Sequence, residues 1–488
     1  MKNNIDTIKT VGELEKAGYI SQPIKDELRK NLIEKIKNKT PIFEGIIGYE
    51  ETVIPQIIAA ILSKHDINLL GLRGQAKTRI ARSMVDLLDE YIPYIEGSEI
   101  NDDPFCPISH FGKQVKAEKG KDTPIQWLHR NDRFYEKLAT PDVTVADLIG
   151  DIDPIKAATL KLSYADERVI HYGMIPRANR SIFVINEIPD LQARIQVALF
   201  NILQEGDIQI RGFKMRLPLD MNFLFTANPE DYTNRGSIVT PLKDRIGSQI
   251  LTHYPKTIDI AKKITQQEIN AAVRNENIHV PETAKSLLEQ VVFEARESPY
   301  IDINSGVSAR MSISMYENLV AAAELRMLKA GESKTTIRMS DFEAITPAIT
   351  GKVELVYEGE QLGVENVANN LIGAAVKSTF DTLFRPIKKL KKPGTSDEFD
   401  AIVHWFMEEN NFQLTNDSSD AKHIEQIEKI KPLDEALNKF ISPDDKKERI
   451  FLKELMLWGL VEYKKLAKSK QEENTTFFDE ILGSVYGE

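Results

Sequence analysis

The chain has 488 residues, 42% of them hydrophobic and 28% charged, with 25 Gly and 22 Pro, a make-up that leaves room for more than one core and excludes collagen-like and disordered classes. A formal charge of −11 denies it the electrostatic footprint of a non-specific binder of nucleic acid or anionic membrane. The single cysteine, Cys106, excludes an intrachain disulfide and fits a reducing compartment.

The opening MKNNIDTIKT has no apolar core before a small-residue cleavage site, so no secretory signal is expected and the cytosol is the expected location. Residues 1–40 read as a helical segment in which Ser21 and Pro23 supply start signals for a helix through Ile24, Leu28, Leu32 and Ile36. After Pro41, short apolar strands alternate with helical segments, the pattern of an α/β sheet. The clearest strands are Ile67 to Leu70, Ile182 to Ile185, Asn222 to Thr226 and Gln249 to Leu251. The most apolar run, Val53 to Leu62, contains Pro55 and Gln56 and is far short of the roughly 20 residues that span a bilayer, so no membrane insertion is expected.

Two stretches read as insertions on this scaffold. Residues 97–140 are rich in Asp, Pro and Lys and too irregular for a long helix, and Asp207 to Leu217 reads as a hairpin turning near Gly212 and Phe213. From Ile258 the chain turns helical, with Leu287, Val291 and Val292 and then Tyr316, Leu319 and Val320 at helical spacing. Lys388, Lys389, Lys391 and Lys392, followed by Pro393 and Gly394, read as a solvated linker. Beyond it, Phe451, Leu452, Leu455, Leu457, Trp458 and Leu460 suggest a helix-rich segment with its own core. The expected organisation is a helical segment at 1–40, an α/β nucleotide-binding domain at 41–256, a helical lid at 257–360, a linker region at 361–397 and a helix-rich domain at 398–488.

The chemistry concentrates in NLLGLRGQAKTR, residues 68–79, where an apolar strand meets a turn carrying Gly71, Gly74, Gln75 and Ala76. Lys77 and Thr78 follow at the mouth of a helix with Ile80, Met84, Leu87 and Leu88 on one face. A phosphate-binding loop needs backbone N–H groups wrapped closely around anionic oxygens, a lysine for the β- and γ-phosphates and a hydroxyl for Mg²⁺. Ala76 stands where glycine is usual, and is expected to be tolerated with a negative φ. A second apolar strand, SIFVINEI (181–188), ends in Asn186 and Glu187. Glu187 is the expected base, while Asn186, in place of an aspartate, can accept from a Mg²⁺-bound water but brings no charge, so weaker Mg²⁺ binding is expected. A third, NFLFTAN (222–228), delivers Asn228, suited to orienting water; Arg245 in PLKDRIG and Arg310 in NSGVSARMS are candidates for stabilising transferring phosphoryl charge.

In this order the parts resemble those of AAA+ ATPases, and TVADLIGDID (144–153), HYGMIPRANRSIFVINEIPDL (171–191) and LFNILQEGDIQIRG (199–212) narrow the resemblance to the MoxR and magnesium-chelatase ATPase-subunit branch over about residues 45–357. The resemblance implies an α/β P-loop NTPase core, a parallel sheet with flanking helices, a helix-2 insert and a pre-sensor hairpin, followed by a helical lid and a helix-rich C-terminal domain. It implies ATP and Mg²⁺ as cofactors, Ile47 and Gly48 near adenine, Lys77 and Thr78 in Walker A, and Asn186 and Glu187 in Walker B. Asn228 becomes sensor 1, Arg245 an arginine finger reaching a neighbouring subunit, and Arg310 sensor 2. A homo-hexameric ring follows if Arg245 acts in trans, and the hairpin tip at Arg211, Phe213 and Lys214 is a candidate client contact.

The expected function is an ATP-hydrolysing motor that remodels a partner protein, which by resemblance carries a von Willebrand factor A-type domain. Alternatives are the ATPase subunit of a chelatase that drives Mg²⁺ or Co²⁺ into a tetrapyrrole, and an ATP-dependent assembly scaffold with little hydrolysis. Nucleic acid is not an expected partner. Cys106 and His110 supply too few soft ligands for structural zinc, and Asp142, Asp147, Asp151 and Asp153 lack the EF-hand's terminal Glu and read as caps. No Gly-x-Ser-x-Gly, His-Glu-x-x-His or Cys-x-x-Cys is present.

Overall fold

The computed structural model describes residues 7–163, 166–205, 207–209, 216–229, 238–269, 275–387, 398–408, 412–471 and 474–479. They form two compact units, residues 1–254 and 255–488.

The first unit opens with α1 (Val11–Lys16), closed by a capping box between Thr10 and Glu13, and α2 (Ile24–Lys37), which buries Ile24, Leu28 and Leu32. Ile36, the next position on that face, is exposed. Neither expected start signal caps α2 through a side chain. The Ser21 hydroxyl donates to the Asp103 carboxylate. It is Asp220, far along the chain, whose two oxygens accept the Ile24 N–H at 3.1 and 2.9 Å.

After α3 (Val53–Leu62) come β1 (Ile67–Leu70) and α4 (Lys77–Ser83), which tightens into a 3₁₀ turn over Met84–Leu87. The remaining sheet strands are β2 (Phe134–Leu138), β3 (Ser181–Asn186), β4 (Met221–Ala227) and β5 (Ser248–Leu251). All neighbours run parallel, in the order β5-β1-β4-β3-β2. Ile182 and Val184 of β3 and Leu224 of β4 face one core with Ile57, Ile80 and Met84. Phe183, Ile185, Phe223 and Phe225 face a second core with Ile195 and Leu199 of the helix Ala193–Glu205. Two buried faces explain why these strands read as continuous apolar runs and not as alternating ones.

Stretch 97–140 is not simply an irregular insertion. It contains the edge strand β2, the helix His110–Lys119, and Ile125–His129, which pairs antiparallel with Tyr91–Ile95. Asp147 completes a capping box with Thr144, and Asp153 caps the helix that follows it, as expected of these acids. Cys106 is exposed. The expected hairpin has its arms in Asp207–Gln209 and Arg216–Pro218, paired antiparallel; Arg211, Phe213 and Lys214 lie outside the described residues, as do Lys388 to Gly394.

In the second unit, helices Ile258–Glu268, Glu282–Glu297, Arg310–Lys329, Val364–Phe384 and Lys446–Glu462 accompany a small antiparallel sheet of Phe412–Thr415, Asn474–Asp479 and Leu466–Gln471. The residues after 398 do not build a separate core: Phe451, Leu455, Leu457 and Trp458 pack in the same cluster as Leu287, Val291, Leu319 and Val320. Polar ties cross the same divide, with Asp420 meeting Arg338 at 2.7 Å and Arg326 at 3.3 Å. No helix among the described residues is long and apolar enough to cross a membrane.

Candidate functional site

The carboxyl ends of β1, β4 and β3 lie side by side, the place where parallel α/β sheets gather ligands. Between β1 and α4 the chain runs through Gly71 to Ala76. A Cβ on Gly71 would stand 2.0 Å from Thr252 Oγ1 and 2.2 Å from Gln75 Oε1, so only glycine fits there. Gly74 has φ 74°. Ala76, expected at negative φ, adopts φ 56° and ψ 16°. The turn into α4 requires a left-handed residue at this point, and alanine takes it at a cost of about 1–2 kcal/mol.

The loop is clamped from both sides. The buried Tyr49 hydroxyl is placed to donate to the carbonyls of His253 (2.7 Å) and Gln75 (3.0 Å), and burial pushes its pKa up to about 12. Thr252 Oγ1 donates to Gln75 Oε1 at 2.6 Å, and the Tyr254 hydroxyl donates to the Arg73 carbonyl at 3.0 Å. Gln75, expected as a loop residue toward the ligand, thus has its side chain turned inward and buried. Ile47 and Gly48 immediately precede Tyr49, and Gly48 has φ 86°.

Lys77 reaches back across the loop. Its ammonium donates to the carbonyls of Gly71 and Leu72 and, at 2.7 Å, to Asn228 Oδ1. The structure therefore brings Lys77 and Asn228 together, although they lie far apart in sequence. Thr78, the second residue of α4, is exposed.

A hydrogen-bonded string crosses the other side of the site. Glu187 sits in the left-handed region at φ 56° and ψ 48°, its N–H donating to Thr226 Oγ1 at 3.1 Å. The Thr226 hydroxyl donates to Asn186 Oδ1 at 3.0 Å. Asn186 Nδ2 in turn donates to Glu136 Oε1 at 2.6 Å. Glu136 Oε2 accepts from Arg82 Nη2 at 2.8 Å and Nε at 3.2 Å. A carboxylate accepts only, so this contact also fixes which end of the Asn186 amide is nitrogen.

Arg245 closes the helix Thr240–Arg245, exposed, paired with Asp244 and with its guanidinium 5.5 Å from the Phe200 ring centroid. Arg310 opens the helix Arg310–Lys329 of the second unit and is exposed. Tyr49, Thr252, Tyr254, Thr226 and Glu136 were absent from the sequence-based site. Thr226 alone had a visible signal, lying inside NFLFTAN. A Mg²⁺–nucleoside triphosphate fits the residues present: Lys77 supplies a cation beside the turn, and Thr78, Asn186, Glu136 and Glu187 each offer an oxygen and no sulfur or imidazole nitrogen, the ligand set of a hard cation.

The AAA domain family of the dynein-related subfamily matches residues 125–246. Magnesium-chelatase subunit ChlI-1, chloroplastic, of Arabidopsis thaliana is 26% identical over 238 residues, covering 47% of this chain and 53% of that protein. The chain thus spans about half the length of that relative. Magnesium-chelatase subunit ChlI of Euglena gracilis is 22% identical over 363 residues, covering 72% of this chain and 99% of that protein. Among solved structures, a complex between subunits BchI and BchD of magnesium chelatase is similar at 18% identity and a TM-score of 0.33, covering 66% of this chain and 98% of that one.

Proposed function

Because the chain is an AAA+ ATPase of the MoxR and magnesium-chelatase ATPase-subunit branch, we propose that it binds Mg²⁺-ATP along residues 71–78, hydrolyses it, and uses the cycle to remodel a partner protein. The observation that supports this reading is the 2.7 Å contact between Lys77 and Asn228, which brings an ammonium and a side-chain amide from beyond two strand ends to one point. In this reading Lys77 holds the β- and γ-phosphates, the loop N–H groups line their oxygens, and Ile47 and Gly48 flank adenine. Bound Mg²⁺ would neutralise charge on the phosphates, with Thr78 and Asn186 as its protein-side partners. Glu187 takes the proton of the attacking water and Asn228 orients that water.

The exposure of Arg245 supports a role across a subunit boundary, as an arginine finger in a homo-hexameric ring, and Arg310 is the sensor of the second unit. The partner in this reading is a von Willebrand factor A-type domain protein. A second reading, a chelatase ATPase subunit acting on a tetrapyrrole, is favoured by the match over nearly the full length of the Euglena subunit. ATP turnover of the full chain beside Lys77→Ala and Glu187→Gln tests the site. Loss of nucleotide binding in the first, and retained binding without turnover in the second, are expected; wild-type turnover in Glu187→Gln overturns the assignment. Stimulation by a von Willebrand-type partner, or by a tetrapyrrole-binding subunit with its porphyrin, separates the two readings.

A further inference from the structure

We propose that Glu136 supplies the negative charge that Asn186 lacks, holding the water shell of the nucleotide-bound divalent cation from the edge strand. This rests on the nucleotide-site reading above. Asn186 is neutral, its Oδ1 already accepts from Thr226 and its Nδ2 is spent on Glu136 at 2.6 Å. The charge expected at the end of β3 is therefore present one strand over, directly hydrogen-bonded to the residue that lost it. Glu136 aligns with Val184 in the β2–β3 register, two residues before Asn186.

The other carboxylate oxygen points the same way. It meets Arg82, which lies on α4 one helical turn beyond Thr78 and hence on the same face. Glu136 is thus bracketed by Asn186 and by the helix that carries Thr78, the two sides from which the cation would be held. Arg82 is 65% exposed in this pair, so solvent weakens its hold on the carboxylate and leaves the charge available to the site.

This placement makes moving the charge a direct test. An aspartate at 186 would set a second carboxylate within hydrogen-bond distance of Glu136, and a bound cation relieves the opposition of like charges at that range. Glu136→Gln is therefore expected to weaken cation binding, and Glu136→Gln/Asn186→Asp, which moves the single charge back to β3, to recover it.

The test uses the full chain, a fluorescent ATP analogue and Mn²⁺ followed by electron paramagnetic resonance. Analogue affinity is measured in EDTA, then Mn²⁺ is titrated into the nucleotide complex. Glu136→Gln is expected to bind analogue in EDTA like wild type but to lose Mn²⁺ affinity on the order of tenfold. The double variant Glu136→Gln/Asn186→Asp returns to near the wild-type value. Arg82→Ala, which frees the carboxylate of its counter-ion, is expected to bind Mn²⁺ more tightly, whereas a purely bracing Glu136 would give no gain. Wild-type Mn²⁺ affinity in Glu136→Gln, or no recovery of affinity in the double variant, overturns the proposal. If Glu136→Gln does not fold, the sign of the Arg82→Ala effect decides. Failure of the wild-type chain to bind analogue in EDTA or with Mn²⁺ would overturn the nucleotide-site reading itself, an outcome distinct from intact nucleotide binding with unaltered Mn²⁺ affinity.

Discussion

Arg133 and Glu27 form a fully buried, two-pronged ion pair, Nη1 to Oε1 and Nη2 to Oε2 both at 2.6 Å, joining the residue before β2 to α2. Arg133 Nε also donates to the Arg180 carbonyl, and Glu27 Oε1 also accepts the Asp89 N–H, so neither charge is left short of partners. Arg133→Ala and Glu27→Ala should each cost about 3–5 kcal/mol, because either leaves a buried charge unpaired. The double variant should cost clearly less than their sum. Thermal melts of the three proteins check this; strict additivity would mean that the two residues do not act as a pair.

Asp220, which caps α2, gives the same region a pH dependence. Burial pushes its carboxyl from 3.8 up to about 6, against the Ile24 N–H and the charges of Arg180 and Arg133, with Glu27 adding to the rise. The folded state then holds this proton more tightly than the unfolded chain, so the contribution to stability falls as pH rises from about 4 to about 6. Asp220→Asn keeps an acceptor for Ile24 and should gain up to roughly 2 kcal/mol above pH 6, the gain over wild type growing as pH rises from about 4 to about 6. Melting temperatures of both proteins between pH 4 and 8 check this; a difference between them that stays constant over that range would mean that Asp220 does not hold its proton in the folded state.

The left-handed Ala76 makes a prediction with opposite signs for two small changes. Ala76→Gly should stabilise the first unit by about 1 kcal/mol, since glycine takes φ 56° without the Cβ clash. Ala76→Val should destabilise it by more than that. Denaturation midpoints of both variants decide; equal losses would argue that packing, and not backbone strain, governs the position.

Tyr49 touches the loop only from behind, so it separates preorganisation from contact. Tyr49→Phe keeps the ring and removes the hydroxyl from the Gln75 and His253 carbonyls. A loss of about 1 kcal/mol, close to fivefold in nucleotide affinity, is expected, measured by equilibrium titration with a fluorescent ATP analogue. Unchanged affinity would mean that the loop keeps its shape without this clamp.

β1, β3 and β4 were legible because both of their faces are buried and their residues are mostly apolar; β5, at the opposite edge from β2, buries only Ile250 and was marked by its short Ile250–Leu251 pair. β2 was not, since at the sheet's edge Phe134–Leu138 can carry Glu136 and Lys137 in a half-exposed row and shows no apolar run. With that strand hidden, so was Glu136, which belongs to no motif and matters only through its neighbour in space. The positions of Lys77, Asn186, Glu187 and Asn228 followed from strand ends, where sequence and topology coincide. The sign of φ at Ala76 did not, because it depends on how the loop must turn. Helical periodicity likewise marked Leu455 and Leu319 as inward-facing but could not say that they face each other's core.

That shared core changes where this protein can be cut. Ending the chain at residue 397 would strip Phe406, Leu433, Phe451, Leu457 and Phe477 from a cluster that also holds Leu287, Val291 and Leu319, opening an apolar wound across the helices of the second unit. A shortened version would be expected to precipitate or bind chaperones before it lost any catalytic group. The described residues after 397 are thus structural tenants of the second unit, and anything that meets them meets a surface whose inner side is already committed.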